Sequence, residues 1–221
     1  MENKLLGLTP LQVLSSGAEA TLYIVDFFGE KCVMKIRKVK SYRNTELDNI
    51  IRKRRTILEA KLLVKACLFD VKVPAVYAVS KTHAAILMEY VKGLRLSDLP
   101  DSEFLKHAFQ VGSSLGRLHT NGIIHGDPTP SNFIVKEDEV FIMDFGLGEF
   151  SYDLEAEAVD INLFLKVIES LRPSIHREVL NEFFRGYQEE MGHEYAKRVF
   201  ERMRQLRLRG RYVEQRRSRS Q

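Results

Sequence analysis

The side chains able to do chemistry lie close together between positions 125 and 146. They run His125-Gly126-Asp127-Pro128-Thr129-Pro130-Ser131-Asn132, then a short apolar stretch, then Asp144-Phe145-Gly146. A carboxylate, a carboxamide and a second carboxylate in that order suit phosphoryl transfer, where the protein mainly positions reactants and neutralises charge. Asp127 would orient the attacking hydroxyl or water. Asn132 and Asp144 would hold a metal ion facing the same phosphate. Alone, Asp144-Phe145-Gly146 could be a simple turn after an apolar strand. Its meaning comes from the combination: four residues separate Asp127 from Asn132, and two strand-like pieces, Phe133–Val135 and Val140–Met143, form a hairpin that brings Asn132 and Asp144 together.

Other elements must deliver a cation and a base pocket to this stretch. Residues 10–36 alternate β-rich runs (Leu11–Leu14, Thr21–Phe27, Cys32–Ile36) with turns, which predicts a three-strand meander. Lys35 lies near the end of the third run. An apolar stripe of Leu47, Ile50, Ile51, Leu58, Leu62 and Ala66 predicts a helix over Glu46–Phe69, capped by Asn44 or Thr45. Glu59 sits beside that stripe as the natural partner of Lys35; the alternative is an exposed pair with Arg55. Cations are dense from Lys35 to Arg43 and from Arg52 to Arg55, and read partly as a polyanion or partner surface and partly as a solvated helix face. Val76–Ser80 and Ala84–Val91 add two strands, making five. Beyond Gly93 the pattern is helical: a helix capped by Asp101 or Ser102 and running to His119, another over Glu155–Leu171 that ends before Pro173, and two more near Ile175–Glu190 and Glu194–Leu208.

Length and composition set the frame. With 221 residues and 44% hydrophobic content the chain can bury a real core, which excludes disorder throughout. Cys32 and Cys67 match no metal spacing and are thin support for a disulfide scaffold, so a reducing, cytoplasmic setting is expected. No long apolar segment follows Met1-Glu2-Asn3-Lys4 and no run could span a bilayer, so a soluble protein without membrane contact is expected. The net charge of +4 is unevenly spread: from Arg202 to Gln221 there are eight arginines against Glu214 alone, which leaves residues 1–201 at −3. Such a tail reads either as an arm for polyanions, nucleic acid above all, or as a solvated end without a partner.

Taken together, Lys35, Glu59, the His125–Asn132 segment and Asp144-Phe145-Gly146 resemble the protein-kinase-like families. That resemblance implies an α+β bilobal fold of minimal size, with a five-stranded antiparallel sheet lobe and a helical lobe. The expected divisions are 1–91, 92–206 and an Arg-rich tail, 207–221. It implies an ATP site in which Ser15, Gly17 and Ala20 stand at the three glycine places of the phosphate loop, Leu22 lies under the base, and Lys35, held by Glu59, meets the α- and β-phosphates. Backbone groups of Glu89 and Val91 would read adenine, with Met88 at the back of the pocket. Gly126 stands where many kinases carry arginine, and Thr129 where a phosphate-neutralising lysine is common. Only fifteen residues separate Asp144 from Asp160, so the activation segment is nearly absent, as in RIO-like atypical kinases.

Closer similarity comes from Lys40-Ser41-Tyr42-Arg43, Leu47-Asp48-Asn49-Ile50-Ile51-Arg52, Arg55-Thr56-Ile57-Leu58-Glu59-Ala60, Ala158-Val159-Asp160 and the Arg207, Arg209-Gly210-Arg211 terminus. These resemble the atypical kinase/ATPase subunits of the KEOPS complex, the p53-related protein kinase family. The resemblance implies a serine/threonine kinase or ATPase that uses ATP and Mg²⁺, with Asp127 as catalytic carboxylate and Asn132 and Asp144 as metal ligands. It also implies partnership with the threonylcarbamoyl-transferase subunit and other KEOPS subunits in tRNA modification, with tRNA contacted through the tail. A small-molecule phosphotransferase and a non-catalytic nucleotide-binding scaffold are the rival readings.

Overall fold

Strand alternation decides which side chains can meet in the amino-terminal half. The computed structural model describes residues 7–218, with side chains through Arg209. Strands β1 (Pro10–Ser16), β2 (Ala20–Phe27), β3 (Glu30–Arg37), β4 (Val76–Ser80) and β5 (Ala85–Glu89) form one antiparallel sheet in the order β1-β2-β3-β5-β4. Side chains on a strand point alternately to its two faces. Cys32 and Met34 of β3 therefore join Val25 and Leu87 in a small buried cluster on one face. Val33, Lys35 and Arg37 take the other.

Helix α1 (Thr45–Leu68) covers that second face. Asn44 caps it, its Oδ1 accepting from the N–H groups of Glu46 at 2.9 Å and Leu47 at 3.4 Å. The predicted apolar stripe is right only in its second half. Leu47 and Ile50 are 52% and 42% exposed, whereas Asp48 is 1% exposed. The inner face begins with Asp48 held by Arg52 at 2.7 Å and Arg43 at 3.6 Å, and continues through Thr56, Glu59, Ala60, Leu63 and Ala66. An ion cluster thus takes the place that apolar periodicity assigned to leucine and isoleucine. Much of the cation density is satisfied internally: Lys40 pairs with Glu19 at 2.9 Å, Arg43 and Arg52 with Asp48, and Arg37 is buried.

After β5 the chain forms β6 (Leu94–Arg95), α2 (Asp101–Thr120), β7 (Ile123–Ile124), the hairpin β8 (Phe133–Lys136) and β9 (Glu139–Ile142), β10 (Glu149–Phe150), α3 (Leu154–Leu171), α4 (His176–Met191) and α5 (His193–Ser218). Strand β6 pairs with β8, and β7 with β10, which ties the β5–β6 connection, here called the hinge, and the segment after Gly146 to the 125–136 stretch. Asp101 and Ser102 do not cap α2: the helix begins at Asp101 without a side-chain cap, because the Asp101 carboxylate is engaged by Arg172 and Ser174. Asp153 caps α3 by accepting from the Glu155 N–H at 3.0 Å. Helices α2 and α4 cross at contact distance, since a Cβ on Gly112 would fall 2.0 Å from the Phe183 carbonyl oxygen and one on Gly186 would fall 2.1 Å from that of Phe109.

The main buried cluster runs without a break from Val33, Leu62 and Met88 through Phe104, Phe133 and Phe145 to Phe164, Phe183, Tyr187 and Phe200. Helix α5 continues past the predicted end near Leu208. Arg207, counted with the tail, is docked on α3, bonding Asn162 at 2.7 Å and Glu169 at 3.2 Å. The side chains of Arg211, Arg216 and Arg217, the whole of Arg219, and Met1-Glu2-Asn3-Lys4 lie outside the described residues and side chains. Among the described residues no helix is long and apolar enough to cross a membrane.

Candidate active site

Lys35 joins three separate elements at one point. From β3 its Nζ lies 2.6 Å from Glu59 Oε1 on α1 and 2.5 Å from Asp144 Oδ1, which follows β9. The Lys35–Glu59 pair expected from sequence is present, and the Glu59–Arg55 alternative is absent; Arg55 faces Glu19 at 3.9 Å. Glu59 is nevertheless shared. Arg37 Nη2 holds its second oxygen at 2.6 Å, and Glu59 and Arg37 are 1% and 5% exposed. From sequence Arg37 reads as one of many surface cations. The signal that singles it out is its two-residue offset from Lys35 on a strand, which puts both on one face. Burial disfavours the Lys35 ammonium, but the charges of Glu59 and Asp144 outweigh it and hold the pKa above the ordinary lysine value. For Asp144, burial opposes ionisation and Lys35 overcomes it, so its pKa lies below the ordinary aspartate value.

The His125–Asn132 segment is fixed by a buried carboxylate. Asp160, 0% exposed, accepts from the backbone N–H of His125 at 2.7 Å and of Gly126 at 2.8 Å, and meets His119 Nε2 at 3.2 Å. His119 Nδ1 in turn meets the Tyr187 hydroxyl at 2.8 Å, linking α2, α3 and α4 beneath the loop. From sequence Asp160 is only a residue near the start of a helix. Its signal is a carboxylate inside the apolar run Val159-Asp160-Ile161 of a buried helix.

His125 is fully buried; its Nε2–H donates to the Met143 carbonyl at 2.8 Å and its Nδ1 accepts from the Asp127 N–H at 3.2 Å. Burial depresses its pKa, so the neutral ring that this pattern needs is the favoured form. Gly126 has φ +84°, and a Cβ there would lie 2.3 Å from the Leu147 carbonyl oxygen. The position that carries arginine in many kinases cannot hold a side chain here without moving the segment after Gly146.

Asp127 is partly exposed at the cleft. Asn132 Nδ2 bonds its carbonyl oxygen at 2.8 Å and its carboxylate Oδ2 at 3.1 Å. Pro130 opens a 3₁₀ turn over Pro130–Asn132 that presents the carboxamide, and Thr129 before it is extended at ψ 154°. Burial raises the Asp127 pKa above the ordinary aspartate value. Asp144 has φ 57°, and its Oδ1 accepts from the Gly146 N–H at 3.0 Å as well as from Lys35.

Two adjoining cavities share Ser15, Leu22, Lys35 and Asp144. One, of about 290 Å³, is lined by Leu14, Val33, Met88, Glu89, Val91, Asn132 and Met143 on the hinge side. The other, of about 300 Å³, is lined by Gly17, Ala20, Arg37, Arg55, Asp127 and Gly146. All the site residues expected from sequence therefore line one cleft. Within it Glu89 spends its N–H on the Ala75 carbonyl at 2.8 Å. The β1–β2 turn is closed by the Gly17 N–H on the Ala20 carbonyl at 3.0 Å, and the Lys38 and Lys40 ammonium groups hold Ser16 Oγ and the Ala18 carbonyl at 2.8 and 2.7 Å. A Cβ on Gly17 would meet nothing nearer than 3.9 Å. The fold itself makes no demand for glycine at that position.

The solved structure of Rio2 kinase from Chaetomium thermophilum in its ADP/Mg²⁺-phosphoaspartate complex is similar at a TM-score of 0.64 and 17% identity, over 88% of this chain and 70% of that one. The PknI kinase domain of M. tuberculosis is similar at 0.55 and 20% identity, over 89% and 95% of the two chains. These neighbours show a protein-kinase-like fold. A family model described as "Lipopolysaccharide core biosynthesis protein (WaaY)" matches residues 11–177, ending in the first turn of α4. The KEOPS complex subunit Bud32 of Pyrococcus abyssi is 39% identical over 92% of this chain and 97% of its own length. The chain belongs to the Bud32 family. The Bud32 match extends beyond the other family model into the carboxy-terminal helices. Similarity also extends to probable bifunctional tRNA threonylcarbamoyladenosine biosynthesis proteins, 34% identical in Methanothermobacter thermautotrophicus, of which the chain spans 37%. Bud32-like sequence thus occurs both as a separate chain and as one part of a larger protein.

Proposed function

We propose that the chain is an atypical kinase/ATPase that binds Mg-ATP in this cleft and acts with KEOPS subunits in threonylcarbamoyladenosine modification of tRNA. The observation that carries the reading is the meeting of Lys35, Glu59 and Asp144 from three elements, with Asn132 against Asp127 beside them. In this reading residues 1–91 and 92–206 are the two lobes. Lys35 contacts the α- and β-phosphates. The backbone around Ser15, Gly17 and Ala20 covers the phosphates, and the space over Gly17 admits that approach. Adenine stacks under Leu22 with Met88 behind it, read by the Glu89 carbonyl and the Val91 backbone.

The donor set fits Mg²⁺. With Asn132 Nδ2 on Asp127 and Asp144 Oδ1 on Lys35, Asn132 Oδ1 and Asp144 Oδ2 remain as hard oxygen ligands. Among the described residues no cluster of three or more His, Cys, Asp or Glu could hold a metal, which suits an ion shared with substrate phosphates. When bound, such an ion neutralises charge on the phosphate oxygens. Asp127 accepts a hydrogen bond from the attacking water or hydroxyl, which bonds to the γ-phosphorus as the β–γ bridging bond breaks and ADP leaves, its proton passing to the Asp127 carboxylate. With fifteen residues between Asp144 and Asp160, there is little chain from which to build a peptide-docking platform, which favours water or a small acceptor.

The KEOPS assignment draws on the names of the relatives, among them bifunctional threonylcarbamoyladenosine biosynthesis proteins of which this chain spans 37%. ATP hydrolysis measured alone, with tRNA, and with the transferase subunit tests it. Stimulation by those partners is expected. Phosphorylation of a small alcohol or amine without such stimulation would favour the small-molecule phosphotransferase. Tight nucleotide binding without turnover in any mixture would favour the scaffold. The tail contributes tRNA affinity in this reading from Arg209 onward, since Arg207 is docked. Deleting residues 209–221 should weaken tRNA binding and flatten its salt dependence; an unchanged slope would reject the tail as the tRNA arm.

A further inference from the structure

The cleft contains a buried cation that the roles above leave unused. Arg37 is 5% exposed, yet it lines the cavity that holds Asp127, Asp144 and Gly146 and is absent from the lining of the hinge-side cavity. It therefore belongs to the reacting end of the cleft rather than the base end. Its Nη2 is anchored on Glu59 at 2.6 Å, while its Nε is buried without a hydrogen-bond partner. A Cβ on Gly146 would lie 3.3 Å from Arg37 Nη2 and 3.7 Å from Lys35 Nζ, so both cations border the space that glycine leaves open. The buried Nε is out of a ligand's reach, but Nη2 borders the cavity and has a second N–H besides the one given to Glu59; a phosphate oxygen entering there is an acceptor suited to it.

Charge points the same way. Lys35 and Arg37 against Glu59, Asp127 and Asp144 leave the inner cleft at −1, which a bound Mg²⁺ would bring to +1; without Arg37 the loaded cleft would be neutral. A triphosphate entering such a site is favoured by the second cation. The neutral Thr129 adds no charge from the loop side, and Arg55, the other arginine on this cavity, is 40% exposed at its side chain and turned toward Glu19.

We propose that Arg37 is a second phosphate-binding cation, placed at the terminal-phosphate end of the nucleotide, and that it makes the site prefer ATP over ADP. The clamp on Glu59 fixes the guanidinium before the nucleotide arrives, so little side-chain freedom is lost on binding. This inference rests on the nucleotide reading of the cleft.

Calorimetric affinities for Mg-ADP and for a non-hydrolysable Mg-ATP analogue, measured on the full chain and on Arg37→Gln and Arg37→Lys, test it. Arg37→Gln should lose at least about tenfold in affinity for the triphosphate and less than about threefold for ADP, with part of the difference restored by lysine. An equal loss for both nucleotides would reduce Arg37 to a positioning residue acting through Glu59, and no loss would remove it from the site; either result overturns the proposal. If Arg37→Gln does not fold, Arg37→Lys keeps a cation near Glu59 with a shorter reach, and its triphosphate-to-diphosphate affinity ratio decides between the same outcomes. An unaltered chain that binds neither nucleotide would overturn the function proposal as well, whereas normal binding with an unchanged ratio would overturn this inference alone.

Discussion

Replacing Asp127 with alanine should reduce ATP turnover by about a hundredfold or more while changing nucleotide affinity by less than about threefold. The asymmetry follows from where its contacts go. The Asp127 carboxylate accepts one side-chain hydrogen bond, from Asn132 at 3.1 Å, and Asn132 keeps its other bond to the Asp127 carbonyl when the carboxylate is removed. Of the residues lining the hinge-side cavity, Asn132 is the one bonded to it, and Asn132 keeps its bond to the backbone carbonyl. The loop is held by Asp160 and His125 instead, so the variant should fold. Because burial raises the Asp127 pKa, the ionised form that accepts the hydrogen bond is lost at a higher pH than for an ordinary aspartate. Turnover should accordingly fall on acidification before an unperturbed carboxylate would titrate. Steady-state hydrolysis by a preparation free of contaminating ATPase checks both points. Turnover equal to that of the unaltered chain would remove Asp127 from the catalytic role.

Asp160→Ala should have the larger effect on stability, a loss of about 3–5 kcal/mol read from the urea midpoint. The carboxylate serves three groups: the N–H of His125, the N–H of Gly126, and His119 Nε2. Each buried donor left without an acceptor costs on the order of 1–3 kcal/mol, partly relieved if water enters the space. Asp160→Asn keeps one acceptor oxygen but turns an amide N–H₂ toward another donor, so an intermediate loss is expected. A change within about 0.5 kcal/mol for alanine, the range of an ordinary surface substitution, would mean that the loop is anchored elsewhere.

Some of this arrangement is legible along the chain because it is local. The β8–β9 hairpin lies between Asn132 and Asp144, so spacing alone brings those residues together. Likewise, β3 carries Lys35 at a position where alternation turns it toward α1. Contacts made across distant segments leave weaker traces. Asp160 acts on a loop 34 and 35 residues earlier in the chain, and Arg37 looks like its basic neighbours until the partner Glu59 is placed beside it. In the first turns of α1, hydrophobicity misleads: Asp48 turns inward because Arg43 and Arg52 neutralise it, and Leu47 is left outside. Gly126 shows a similar limit. Sequence marks only a missing arginine there, whereas φ +84° and the nearby Leu147 carbonyl explain why no side chain fits.

A crystal of the chain with a non-hydrolysable ATP analogue and Mg²⁺ is the most direct test of the central claim. The account predicts a metal ion bound by Asn132 Oδ1 and Asp144 Oδ2, Lys35 moved from Asp144 onto the α- and β-phosphates while still held by Glu59, and the γ-phosphate opposite Asp127. A triphosphate lying outside the cleft, or a metal bound without Asn132 and Asp144, would contradict it.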